Sequence, residues 1–221
     1  MVAIPPLSNT TGAPRPYSVF FGHQSVGADI IRGVSELPDI ERRTGPRICD
    51  RHHMDPNPGA AGAAAAPWVL IHSPVGRNRE PLTKLDEFER LAREEFATRV
   101  DVALVKFCYV DITAATAVSE LFQTYISRMD ELANAVPHIR IAHITVPLRT
   151  VRPAWRAALG RALGRPDPEV DHNRAREDFN RRLRDTVPPA RLFDLAALES
   201  ARLENRGGDA PPRSLCADWT N

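Results

Sequence analysis

A serine bounded by two glycines is the first candidate for chemistry in this chain. In Gly22-His23-Gln24-Ser25-Val26-Gly27, an apolar run over 17–21 passes through a short turn into a stretch where Val26, Ile30, Ile31 and Val34 recur at helical spacing. The turn presents a hydroxyl at the start of a helix. The pattern places Ser25 at the N-cap, where it either caps the helix or stands beside unpaired backbone N–H groups and the positive end of the dipole, able to stabilise an oxyanion. Spacing alone favours the cap. A serine nucleophile also needs a base, so each histidine is weighed. His23 is two residues from Ser25, and His143 lies in an apolar run where a core histidine is the commoner outcome. His72, His138 and His172 fall near element ends and read as surface or capping residues. His52-His53, beside Asp50 and Asp55, suggests metal ligands, but adjacent histidines cannot share a face and no further ligand follows at metal-site spacing; the metal reading is rejected. Cys108 reads as a small buried hydrophobe at a strand end. Asp111 reads as an exposed acid at a pocket rim or as an N-cap, and Glu199 as a possible carboxylate partner for a base.

Further segments fall in the order and character of the SGNH or GDSL serine hydrolases, over most of residues 17–200. Gly22-His23-Gln24-Ser25-Val26-Gly27 resembles the first block of that family, although His23-Gln24 stands where an Asp usually precedes the Ser. The resemblance gives Ser25 the nucleophile's role. Pro74-Val75-Gly76-Arg77-Asn78 resembles the second block, whose glycine N–H contributes to the oxyanion hole; the match falls on Gly76. Lys106-Phe107-Cys108-Tyr109-Val110-Asp111-Ile112 stands where the family carries Gly-x-Asn-Asp, and the Asn that would donate to the oxyanion is missing. Asn78 has the right chemistry to supply that amide, a reading from chemistry and not from the family pattern. The family's Asp-x-x-His, source of the general base, meets only Asp218-x-x-Asn221 here. The favoured reading is that the sequence stops short of that block, so hydrolysis by the chain as given is expected to be weak.

These residues need a scaffold that brings them together. Strand candidates at 17–21, 68–72, 102–107, 139–146 and 191–195 alternate with helical stretches at 26–37, 84–96, 114–135 and 174–186, with Thr83 and Asn173 as N-caps. The alternation predicts a flavodoxin-like three-layer α/β/α sandwich with a five-stranded parallel sheet. Ligands bind outside the C-terminal strand ends of such sheets, where Ser25, Gly76, Asp111 and Pro147 all fall. Residues 56–67 read as a low-complexity stretch that is mobile, a short helix or a spacer, residues 149–168 as a lid or surface excursion, and residues 201–214 as a loop.

Composition sets the outer limits. With 221 residues and 43% hydrophobic content, the chain reads as a flexible lead-in over 1–16 followed by one α/β domain over 17–221. A net charge of +1 argues against nucleic-acid binding, and the opening residues show neither a signal peptide nor a membrane anchor. Three cysteines without a close pair, Cys49, Cys108 and Cys216, suit a reducing, cytoplasmic setting. No cofactor is implied. Two functions fit: an esterase or deacylase acting on a small acyl or ester substrate through Ser25, and a noncatalytic descendant that keeps the pocket to bind a ligand.

Overall fold

A computed structural model describes residues 17–36, 45–53, 68–151, 162–164 and 167–200. The elements run β1 (Tyr17–His23), α1 (Ser25–Ser35), β2 (Arg47–Asp50), β3 (Trp68–Pro74), α2 (Pro81–Glu94), β4 (Val102–Val105), α3 (Val118–Ala135), β5 (Arg140–Ile144), α4 (Pro168–Thr186), β6 (Leu192–Phe193) and α5 (Leu195–Ser200). Single 3-10 turns cover Arg51–His53, Tyr109–Asp111 and Pro189–Arg191. The strands form one sheet in the order β2-β3-β1-β4-β5-β6, and every adjacent pair is parallel. The five expected strands stand in the flavodoxin order, second-first-third-fourth-fifth. The sixth, β2, adds outside them as an edge, correcting the expected count of five.

Strand alternation divides the core between the two faces of the sheet. Phe20, Val69, Ile71, Ala103, Val105 and Ile141 point to one side, where they pack with Leu85, Phe88 and Leu91 of α2, Tyr125 and Met129 of α3, and Phe179 and Leu183 of α4. Phe21, Leu70, Leu104 and Ile144 point to the other, against Ile30 and Ile31 of α1 and Leu195 of α5. The first face is the larger and rich in rings: Phe20 lies 4.3 Å from Phe96 and 5.8 Å from Phe88, centroid to centroid. Burying such aromatic side chains contributes about 2–3 kcal/mol each.

Helix starts differ from expectation for identifiable reasons. α2 begins at Pro81, whose fixed φ suits the first helical position, so Glu80 is the N-cap and Thr83 lies inside the helix. Asp167 caps α4 by accepting from the Glu169 N–H at 3.1 Å, leaving Asn173 within the helix. The spacer at 56–67 and the loop at 201–214 lie outside the described residues, as does most of 149–168.

Candidate active site

Ser25 follows β1 after a single residue, Gln24, and β1 is the middle strand of the three whose ends surround it. The His23 carbonyl accepts from Val75 N at 2.9 Å on the β3 side, and the Gly22 carbonyl accepts from Lys106 N at 3.0 Å on the β4 side. The Gln24 side-chain amide then donates to the carbonyls of Val75 and Gly76, at 3.0 and 2.7 Å, fastening the β3 turn to the serine turn. Ser25 is exposed and is the first residue of α1; the N-cap is Gln24, whose side chain is turned away to Val75 and Gly76. The expected cap by Ser25 is therefore corrected. The Gln24 carbonyl takes Gly27 N and Ala28 N, and the Ser25 and Val26 N–H groups have no partner among the described residues. A helix start of this kind favours negative charge beside the hydroxyl.

Gly27 is required by His23. A Cβ on Gly27 would come within 2.2 Å of the His23 Cβ, so the first turn of α1 rests directly on that histidine. His23 is buried, with Nδ1 3.0 Å from the Gln24 carbonyl and Nε2 3.2 Å from His72 Nδ1. Donation from Nδ1 to the carbonyl makes Nε2 the acceptor of a proton from His72. Both nitrogens are thus committed away from the Ser25 hydroxyl. Burial depresses the pKa of each ring, so the pair is held neutral. His72 is accordingly a half-buried partner of His23 and not the surface or capping residue expected.

The remaining histidines are placed differently. His143 is buried on the α3 side of the sheet, its Nδ1 3.0 Å from the Tyr125 hydroxyl, while α1 packs on the opposite face. Burial, with a smaller contribution from Arg191, lowers its pKa to about 4. His172 Nδ1 accepts from Ala114 N at 3.0 Å, and His52, His53 and His138 are exposed.

Gly76 adopts φ +57°, and a Cβ there would lie 2.4 Å from Lys84 N. Its glycine is demanded by the backbone of α2. The N–H expected to face an oxyanion donates instead to Glu87 Oε2 at 2.7 Å. Asn78, two residues on, is exposed, yet its Oδ1 is turned inward to Lys84 Nζ at 3.1 Å. A lysine ammonium only donates, so the amide is oriented with its oxygen to Lys84 and its NH₂ away. Asp111 is not the exposed acid expected: its side chain is fully buried, bonded to Lys84 Nζ at 2.5 Å, Cys108 N at 2.6 Å and Arg79 N at 2.8 Å. Arg79 takes φ +70°, a left-handed conformation that costs a non-glycine residue about 1–2 kcal/mol.

A second buried lysine closes the β4 side. Alternation puts Lys106 on the α1 face after Leu104; it is fully buried, with Nζ 3.3 Å from the Phe107 carbonyl and 3.8 Å from Cys108 Sγ. Burial lowers its pKa. Glu199, on α5 of the same face, is pushed up to about 7 by burial, and its Oε2 has no hydrogen-bond partner among the described residues. An open groove lies on the other side of the sheet between Glu80–Thr83 and Thr116–Thr124, and Ser25 is not part of its lining. Among the described residues, no group of three or more His, Cys, Asp or Glu is arranged to hold a metal ion, and no helix is long and apolar enough to cross a membrane.

Sequence reasoning named Ser25, Gly76, Asn78, His23, Asp111 and His143. The structure places the first five around neighbouring strand ends and His143 within the core of the far face. It adds Lys84, Gln24 and His72. Lys84 had a legible signal, since 84, 85, 88, 91 and 92 form one buried helical stripe in which the lysine is the odd member.

No protein-family model matches the chain, and no curated protein sequence matches it. Among solved structures, a lipase/acylhydrolase from Enterococcus faecalis is similar at 14% identity with a TM-score of 0.40, over 92% of this chain and 89% of the other. A provisionally named platelet activating factor from Streptococcus pneumonia is similar at 13% identity with a TM-score of 0.41, over 93% and 78%. Likeness at this level carries no argument, and the α/β class rests on the parallel sheet with helices on both faces.

Proposed function

We propose that the strand-end site belongs to an SGNH-like serine hydrolase acting on a small ester or acyl compound, with Ser25 as nucleophile. One observation carries the reading: Ser25 is exposed at the first position of α1, beside two backbone N–H groups without a partner among the described residues, while Asn78 at the neighbouring strand end is oriented with its amide NH₂ outward. In this reading Ser25 Oγ attacks the carbonyl carbon and gives up its proton to solvent water, the carbonyl π electrons move to oxygen, and the Ser25 N–H and Asn78 amide receive the resulting oxyanion. Collapse of the tetrahedral species expels the alkoxide or thiolate, which takes a proton from solvent, and water then attacks the acyl carbon, breaking its bond to Ser25 Oγ to release the acid and restore the hydroxyl. Gly76 contributes by shaping the turn, since its N–H is occupied by Glu87. The reaction needs no metal or organic cofactor. A cytoplasmic location, argued from the cysteines, belongs to the same proposal.

The histidines favour a second reading, in which the site binds an acyl compound without cleaving it. His23 has both nitrogens committed, and His143 is turned to Tyr125 across the sheet from α1. Hydrolysis of p-nitrophenyl acetate by the wild type and Ser25→Ala separates the two. The hydrolase predicts turnover that Ser25→Ala abolishes while the protein stays folded; equal rates in both proteins refute it.

A further inference from the structure

We propose that Lys84 and Asp111 are positioning residues that set the oxyanion amide of Asn78; the inference rests on the Ser25–Asn78 reading above. Lys84 stands on the buried stripe of α2 and is 0% exposed, where an ammonium persists only with charge and hydrogen bonds around it. Asp111 supplies the charge at 2.5 Å. The other bond of Lys84 goes to Asn78 Oδ1 at 3.1 Å, so an exposed side chain is anchored by a buried cation. That contact decides which end of the amide faces outward, because the carbonyl end satisfies the ammonium and the NH₂ end cannot.

Asp111 holds the same turn a second way. Its Oδ1 accepts the Arg79 N–H at 2.8 Å, stabilising the left-handed backbone directly after Asn78, while Oδ2 accepts Cys108 N at 2.6 Å from the end of β4. One carboxylate therefore joins the β3 turn to the β4 end and fixes both the backbone and, through Lys84, the side chain of the donor. An oxyanion donor gains its effect from being oriented before the charge develops. Lys84 itself is enclosed and acts through Asn78.

The test is a double-mutant cycle on p-nitrophenyl acetate hydrolysis with wild type, Asn78→Ala, Lys84→Met and the double variant. Each single change should lower kcat roughly 100-fold, the loss typical of one oxyanion donor, with KM little changed. The double variant should be no slower than Asn78→Ala, since Lys84 has nothing left to position. Losses that multiply, or wild-type kcat in Lys84→Met, overturn the inference. Ser25→Ala in the same assay separates the failures: unchanged hydrolysis refutes the nucleophile reading, whereas Ser25-dependent hydrolysis indifferent to Lys84 refutes only the positioning. A second measurement needs neither turnover nor a folded variant. In the wild-type protein, the ¹⁵N relaxation of the Asn78 side-chain amide should match the rigid backbone of α2, and a freely mobile amide overturns the proposal.

Discussion

Acid should destabilise this protein through His143, by an amount the structure sets. The unfolded imidazole titrates near 6.5, and burial against Tyr125 lowers the folded pKa to about 4. The unfolded state therefore binds the extra proton between these values and the folded state does not, so stability rises with pH and is lost as pH falls through this window. Integrating the two titrations gives a loss of about 2 kcal/mol by pH 5 and about 3 kcal/mol by pH 4, relative to pH 7.5, from this one group. Urea denaturation of the wild type and His143→Gln across that range isolates it. Glutamine keeps a hydrogen-bonding partner for the Tyr125 hydroxyl but does not titrate, and the contributions of His23, His72 and Glu199 cancel between the two proteins. The stability difference should shift in favour of the variant by the stated amounts as pH falls. Parallel curves with a constant offset would refute the burial argument and reopen His143 as a base. Because His143 is on the face away from α1, the same variant should leave any Ser25 reactivity intact.

Three more predictions follow from local geometry. Gly76→Ala should cost at least about 2 kcal/mol in urea denaturation, since φ +57° and a Cβ 2.4 Å from Lys84 N force both strain and a backbone shift. Asn180→Ala should cost about 3 kcal/mol and speed hydrogen exchange at Val146, because the fully buried amide bonds both Val146 N and Val146 O, at 2.7 and 2.9 Å. Glu199→Gln should flatten the pH dependence with the opposite sign to His143: the folded pKa of about 7 lies above the ordinary value, so its stability is present at low pH and lost as pH rises towards 7.

Much of this arrangement was legible because β1 and β3 announce themselves. Seven consecutive residues in each, dense in aromatic and β-branched side chains, end at glycine-containing turns, and the parallel order follows from the helices between them. β2 escaped because Arg-Ile-Cys-Asp is four half-buried residues at a sheet edge, too short to show alternation. The His23–His72 pair was beyond reach for a different reason: its members are 49 residues apart and meet only through the register that sets Phe21 opposite His72. Gly76 stands out in the sequence, but the cause lies in α2 backbone that a linear pattern does not bring close. Lys84 is readable in principle, as a charged residue on the apolar stripe of α2, whereas Arg176 shares the buried face of α4 with Asn173 and Asn180 as well as Phe179 and Leu183. A charge on a buried helix face points to a buried network: Arg176 bonds the Tyr109 and Ile112 carbonyls at 2.9 and 3.1 Å, steadying the loop that carries Asp111.

The role proposed for Ser25 is that of the nucleophile in an acyl-transfer site. It is tested most directly by exposing the folded protein to a fluorophosphonate, whose phosphorus accepts the attacking oxygen and loses fluoride, and mapping the adduct by peptide mass spectrometry. One covalent adduct is expected, on Ser25, absent from Ser25→Ala and slowed in Asn78→Ala. An adduct on another residue, or a folded protein that stays unlabelled at saturating reagent, would contradict it.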